Sequence, residues 1–414
     1  MIQTKFTSSF NNLFINLTFY FLHMVYLILI IYYLFFNYNN LLKKGIRISL
    51  RAKVNDSLIT GLRVVDSILP VGRGQRQLIL GDRYTGKSSV FILLIKSSAL
   101  LNLLSSIDGY GSKRLFNLYV GLNQSLNKLS KLINVLWNIN WTTFIFVSHS
   151  TSCSLLTYLL PLLSISIVER LRDIGFDSSI AFDDLSKHSK SYRQIKLLMY
   201  NTPSRDAFPQ DVFNIHSALL ERVANSIWIG TIKNNKSNIS AFPIIELINS
   251  NFSEYIATNV ISITDGQLYL DKTLFNLSTR PAINSSLSVS RVGSNAQCKF
   301  IKLISAGIKN KLTTLRNNFN LNNIEYNQLT CLNNIFYQDH LFISEIETSL
   351  ILLISFMHPK LHNNLLYIFN IYRLFLIFSL DYFYVLYLLK LIKHNYNITV
   401  FLFIVFFIIF SLNY

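Results

Sequence analysis

The sequence predicts an α/β fold, a parallel sheet with helices on its faces, followed by an all-α bundle. Three observations predict it. Between about Gly45 and Asn318, short β-rich apolar runs alternate with segments of helical length. A glycine-rich turn joins one of those runs to a helical segment. From Phe319 onward glycine vanishes and long apolar stretches without breakers take over.

Taken in order, the first region, residues 1–44, carries "LFINLTFYFLHMVYLILIIYYLFF" from Leu13 to Phe36. It is long enough to span a bilayer, and Lys43 and Lys44 form the basic flank expected on the positive side. Asn16, Thr18 and His23 interrupt it, so a membrane span and biased composition both remain open. The second region, residues 45–318, holds "RQLILG", "NLYVGL", "TTFIFVS" and "SSIAFDD" as strands bounded by polar or turn residues. The third region, residues 319–414, contains "SEIETSLILLISFMH" and two further apolar runs. The longer of these includes Arg373, Asp381 and Lys390, charges costly in lipid, so a helical bundle is the expectation.

Composition narrows the function classes. The 414 residues carry a formal charge of +17 with only 21 acidic side chains. The basic residues are spread along the chain in no long block, which argues against a nucleic-acid groove. Phosphate ligands or an anionic membrane surface fit the same balance. Abundant Phe, Tyr, Ile, Asn and Lys together read as AT-rich codon bias as much as lipid exposure. Cys153, Cys298 and Cys331 stand far apart, form no CxxC, and are expected to be buried small hydrophobes. His358 and His362 have Pro359 and no Glu between them, which does not meet the zinc-helix pattern, and His149 and His216 read as structural.

Gly81, Asp82, Arg83, Tyr84, Thr85, Gly86, Lys87 and Ser88 fit GxxxxGK[ST], between an expected strand and an expected helix. Glycines let the backbone wrap phosphate oxygens with its N–H groups, and the helix N-terminus adds positive potential. Lys87 would reach the outer phosphates and Ser88 would hold Mg²⁺. A second Mg²⁺ carboxylate is expected at Asp183, directly after the "SSIAF" run, with Asp184 structural. Hydrolysis further needs a group to deprotonate or orient water. The strand after the cradle helix ends in Asn123 and Gln124, and between Ser88 and Val168 only Asp108 is acidic. Gln124 can hydrogen-bond water but cannot take its proton at neutral pH. Arg291, after the alternating "SLSVS", can stabilise charge on its own phosphate or a neighbour's, and spacing leaves both open.

Five blocks, "GLRVVDSILPVGRGQRQLILGDRYTGKS", "FDDLSKHSKSYRQ", "DAFPQDVFNIHSALLERVA", "TNVISITDGQLYL" and "RPAINSSLSVSRVGSNAQ", resemble in order and spacing the alpha subunit of F-type ATP synthase. The resemblance runs from about Gly45 to Leu315 and looks most like the mitochondrial and proteobacterial form. It implies a RecA-like P-loop nucleotide-binding core that holds ATP or ADP with Mg²⁺ without turning it over. It also implies an alternating three-plus-three ring with the beta subunit, a central-stalk gamma subunit and a peripheral stalk. Membrane association would come through that complex, on the matrix side of the mitochondrial inner membrane, with no nucleic-acid partner.

By the same resemblance Gln124 matches a Gln of alpha where beta carries its catalytic Glu. Arg291 matches the arginine given to the beta site, Ser288 a serine linked to activity, and Arg280 an arginine near the nucleotide. Asp183 matches the magnesium carboxylate, and Gln338 an adenine-pocket Gln. The chain departs from the pattern at Tyr84, where the related loop has Gln, and at Ser125 and Leu126, where "NQSLNK" replaces "GQKRST". It departs again at Ser152, where an Asp is lost, and in its N-terminal region, which is too short for the family's β-barrel. Two other readings stand beside this one: an active hexameric P-loop ATPase acting on RNA, and a membrane-anchored nucleotide-binding protein or decaying gene.

Overall fold

This computed structural model describes residues 45–46, 49, 51–107, 114–136, 142–226, 237–297, 299–317 and 323–338. The segment Leu13–Phe36, Asp108, Cys298 and the expected apolar helices after residue 338 lie outside them.

Six strands run in one direction: β1 (Gln77–Gly81), β2 (Leu115–Gln124), β3 (Thr143–His149), β4 (Asp177–Asp183), β5 (Ser237–Glu246) and β6 (Gly266–Leu270). They lie in the order β6–β1–β5–β4–β2–β3, each neighbouring pair parallel. β7 (Val289–Ser290) closes the β6 edge in the antiparallel sense. Every residue of β1 and β4 is buried, as a parallel sheet covered on both faces requires. The predicted α/β class with a parallel sheet is therefore the one observed. Four of the six parallel strands coincide with the four expected runs, and β2 extends two residues further, through Asn123 and Gln124.

Helices α1 (Arg63–Ile68), α2 (Lys87–Ile107), α3 (Leu126–Leu136), α4 (Ser154–Ile174), α5 (Leu185–Leu198), α6 (Val212–Glu221), α7 (Tyr255–Ile263) and α8 (Lys272–Asn276) fill the connections. The core joins Leu78, Leu80, Leu118, Val120, Ile180 and Phe182 of the sheet to Leu162, Ile165 and Val168 of α4. Burying each such side chain contributes about 1.5–3 kcal/mol. α4 is long and apolar enough to cross a membrane, yet here it packs on the sheet. It stops at Gly175, whose φ of 108° is left-handed, and Gly175 and Phe176 return their N–H groups to Arg172 and Leu171. Within α4, Glu169 pairs with Arg222 at 2.9 and 2.7 Å, both side chains buried. Cys153, expected to be buried, is exposed instead, because it is the cap residue that precedes α4.

After the sheet come α9 (Lys299–Asn317), which packs against α1, and α10 (Asn323–Phe336), which packs against α9. The expected strand "SLSVS" shrinks to the two residues of β7. Ser288 leaves the ladder because its N–H returns to Asn284 and its hydroxyl, rather than its backbone, meets the N–H of Tyr269.

Candidate functional site

Parallel strands all end at the same edge of the sheet, so residues far apart in sequence converge there. At that edge β1 ends in Gly81 and α2 begins at Lys87, with the loop between them. A Cβ on Gly81 would come within 2.7 Å of Thr85 Oγ1 and 2.8 Å of the Leu270 carbonyl, so the close turn requires glycine. Gly86 has a φ of 92°, which also favours glycine. Tyr84 adopts a φ of 63° and leaves its ring 90 % exposed, so the ring takes no part in shaping the cradle. Asp82 braces the loop by accepting from the N–H and hydroxyl of Ser250, both at 2.9 Å.

The Lys87 ammonium crosses the loop and donates to the carbonyls of Gly81, at 2.9 Å, and Asp82. Burial lowers its pKa, while Glu246, Asp184, Asp183 and Asp82 pull in the opposite direction. Ser88 Oγ donates to Asp183 Oδ2 at 2.6 Å. That oxygen also accepts from the Tyr119 hydroxyl of β2 and from Lys128 Nζ of α3, the latter at 3.3 Å. Burial pushes the Asp183 carboxyl up, but Lys128, the two hydroxyls and Lys187 outweigh it and hold the group below the ordinary carboxylate range. Burial and Asp183 together drive the Tyr119 hydroxyl well above its usual pKa, so it stays a donor. Asp184 turns away and caps α5 by accepting from the Lys187 N–H at 2.8 Å. The two adjacent aspartates thus face different ways, Asp183 towards Ser88 and Asp184 towards the start of α5.

A site for Mg²⁺ can be judged from its donors. Ser88 and Asp183 converge as hard oxygens, one of them anionic, beside a phosphate loop. Magnesium takes one or two protein oxygens and completes its shell with phosphates and water, so the pair fits. Among the described residues no group of three His, Cys, Asp or Glu side chains could hold a metal alone.

Gln124 ends β2 beside Asp183 and is buried. Its amide donates to the Asp183 carbonyl at 3.0 Å. Asn123, where the related pattern has Gly, takes a left-handed φ of 52°, which Asn tolerates better than most residues. Arg280 lies at the same edge, past the end of β6. Its guanidinium donates to the Phe275 carbonyl at 2.8 Å and sits 3.8 Å over the Phe275 ring. Gln338 donates its backbone N–H to Arg280, but its side-chain amide holds Gly61 and Arg63.

Arg291 and Ser288 are not brought to this edge. β7 pairs with Gly266 and Gln267, the residues beside the start of β1. The Arg291 N–H donates to Asp265 there, at 3.1 Å. The length of β1, about 13 Å at ~3.3 Å per residue, separates that end from the phosphate loop. Ser288 is buried, donating to Asn284 at 2.6 Å and accepting from Tyr269 at 2.9 Å.

Sequence reasoning missed Tyr119, Lys128 and Glu246. Glu246 ends β5 beside Gly81 and accepts from Arg83, whose side chain is mostly exposed. A polar residue at the end of a buried strand was the available signal for Glu246. Nothing local to Lys128 marked it, since it reaches the site from a helix. A cavity of about 870 Å³ adjoins the outer side of Asp82–Thr85, lined also by Glu246, Tyr255 and Phe275.

Residues 61–290 match the ATP synthase alpha/beta family, nucleotide-binding domain. The chain is 42% identical over 276 residues to the ATP synthase subunit alpha of Carsonella ruddii (strain PV), covering 64% of this chain and 54% of that one. It is 41% identical over 277 residues to the mitochondrial ATP synthase subunit alpha of Dictyostelium citrinum, covering 66% and 50%. Against the Wolbachia pipientis (strain wPip) subunit alpha it is 38% identical over 269 residues, covering 64% and 51%. The chain spans about half the length of the curated relatives it matches. Since the matched domain covers more than half of its residues and carries the phosphate loop, Asp183 and Gln124, this chain belongs to the ATP synthase alpha/beta family, on the side of the alpha subunits.

Proposed function

We propose that this chain is the alpha-type subunit of a proton-driven F-type ATP synthase, holding Mg-ATP or Mg-ADP without hydrolysing it. In this reading Gly81–Ser88 cradle the phosphates, Lys87 neutralises the outer ones, and Ser88 with Asp183 hold Mg²⁺. Magnesium would supply charge that screens the phosphate oxygens. Arg280 lies near the base end of the nucleotide. The observation that carries the reading is Gln124: where a base would stand, there is an amide already bonded to the Asp183 backbone. The two other carboxylates beside the loop are already engaged, Asp82 by Ser250 and Glu246 by Arg83.

Arg291 is proposed as a finger for a neighbouring beta subunit, with Ser288 fixing its strand. Its position at the far end of β1 supports action on a neighbour's nucleotide rather than its own. The proposed partners are beta subunits in an alternating ring, the gamma stalk and the peripheral stalk. The proposed location is the matrix side of the mitochondrial inner membrane, a reading supported by the mitochondrial relative. Native purification of the synthase with mass spectrometry of its subunits tests the assignment: the chain is expected in stoichiometry with beta, and its absence from the complex sinks the reading. Single-turnover assays on the full chain test the other half, with bound ATP expected to remain uncleaved.

A further inference from the structure

We propose that Lys128 is a built-in counter-cation for the magnesium carboxylate, which lets the site accept the triphosphate of ATP with or without a divalent metal. The proposal rests on the nucleotide-holding reading above. Lys128 Nζ lies 3.3 Å from Asp183 Oδ2, the oxygen to which Ser88 donates. Lys128 occupies the first turn of α3, where the helix dipole is positive and a lysine is disfavoured. What offsets that cost is the buried Asp183 carboxylate, with which Lys128 forms its ion pair.

The neighbouring lysines do different work. Lys87 bridges the loop carbonyls of Gly81 and Asp82 and makes no ion pair with Asp183 among the described residues. Lys187 donates to the carbonyls of Leu122 and Asn123, at 3.2 and 3.4 Å. Among the described residues, Lys128 is the cation ion-paired with Asp183. It sits two residues after Leu126, in the stretch where Ser125 and Leu126 replace a Lys and an Arg of the related pattern.

A bare carboxylate at this point repels a triphosphate, and a divalent metal ordinarily screens the two from each other. Here an ammonium pairs with the carboxylate first, so metal-free nucleotide meets a neutralised wall. The Lys128 side chain is 45 % exposed on a flexible stem, so the ammonium can withdraw to water or to a phosphate oxygen when magnesium arrives. The chain's own residues thus weaken the dependence of binding on metal without abolishing the metal site.

Calorimetric titration of the full chain with ATP, in magnesium and in EDTA, tests this on the parent, Lys128→Thr and Lys128→Gln. The parent is expected to bind in EDTA within about tenfold of its magnesium affinity. Both neutral variants should bind metal-free ATP about tenfold more weakly than the parent and shift magnesium binding by less than about threefold, the size of one lost, half-screened charge contact. The Gln variant keeps most of the stem, so the test survives if the Thr variant folds poorly. A parent that needs magnesium by about a hundredfold or more, or neutral variants with the parent's ratio, overturns the inference and leaves nucleotide holding intact. Failure of the parent to bind ATP in either condition overturns the nucleotide reading, and the inference with it.

Discussion

The two ends of strand β1 are built for different work. At the Gly81 end, loop, strand termini and helix starts turn Lys87, Ser88, Asp183, Lys128 and Gln124 onto one shared space. Their hydrogen bonds and ion pairs are made largely with one another. At the Gln77 end the polar groups face sideways: Gln75 donates to Gln77, Arg76 pairs with Asp265, and Arg291 follows the antiparallel edge strand into solvent. The first end gathers its donors around a glycine-lined loop and a buried carboxylate, an arrangement suited to gripping a polyanion with its metal. The second presents an exposed guanidinium on the sheet edge, suited to reaching a neighbour. In the proposed reading one strand keeps holding and giving apart, and substitutions at one end should leave the other's work intact.

The sharpest way to break that separation is Arg291→Ala. Steady-state turnover of the assembled synthase should fall by about 10³-fold or more, the range for a lost arginine finger, while ATP binding by this chain stays within error. Turnover that persists removes the finger assignment, and nucleotide binding that collapses shows the two ends are coupled after all.

Acid should attack the Gly81 end. His188, one turn beyond Asp184 on α5, and His216 on α6 are both buried, with His188 Nδ1 3.2 Å from His216 Nε2. Burial lowers the His188 pKa to about 4, and burial with its neighbour lowers His216 further. Tyr158 and Tyr192 surround the pair, with Lys196 against Tyr192. Unfolded histidine binds its proton near pH 6.5 and the folded pair does not, so stability is full above 6.5 and declines as pH falls towards 4. The loss from His188 alone reaches about 3 kcal/mol at about 1.4 kcal/mol per pKa unit, and His216 adds to it. Asp66, raised to about 6 by burial, works in the opposite sense between pH 6 and 4, so the histidine contribution must be isolated by substitution. Denaturant melts of His188→Gln should lose less stability than the parent between pH 6.5 and 5. Hydrogen exchange in acid should rise first in α5 and last at β7.

Lys87→Gln isolates the holding end. Charge-assisted contacts to phosphate contribute about 1.5–3 kcal/mol, so ATP binding should weaken by about 10- to 100-fold, measured by the same titration. Turnover on beta should change far less than in Arg291→Ala. A comparable loss would mean that nucleotide on this chain is required for catalysis.

How much of this was legible depends on whether the signal is local. Gly81–Ser88 reads from eight consecutive residues, and β1 to β4 read as short apolar runs closed by turn residues. Asp183 and Gln124 read as strand ends in the right order. β5 did not read as a strand, because Pro243 lies within it and proline, lacking an N–H, is ordinarily confined to edges. Yet β5 runs between β1 and β4, with Pro243 opposite Phe182. Its neighbours Ile239, Ala241, Phe242, Ile244 and Ile245 are buried, and that burial outweighs one lost ladder bond. Tyr119 and Glu246 come to Asp183 and Lys87 through the cross-strand register, and Lys128 comes to Asp183 through the docking of α3. That register is a property of the folded sheet and of no window of sequence. The opposite error arose at "SLSVS", where alternation suggested a strand but the Ser288 hydroxyl takes over the ladder's role.

That hydroxyl gives the finest probe of the comparison. Ser288 donates to the Asn284 carbonyl and accepts from the Tyr269 N–H, tying the segment before Arg291 to the penultimate residue of β6. Ser288→Ala removes both bonds and strands a buried N–H, which should cost about 1–2 kcal/mol of stability by denaturant melt. The effect on function should be small in size and specific in kind. β6 lies beside β1, so if the sheet is rigid, ATP binding at the Gly81 end should be unchanged. Arg291, three residues on, loses its anchor, and turnover of the complex should fall with no matching change in nucleotide affinity. Ser288→Thr keeps the hydroxyl and should restore turnover if the added methyl is accommodated. A Ser288→Ala chain that melts earlier in a complex that turns over normally would reduce Ser288 to a packing residue, and would show that Arg291 is held by β7 alone.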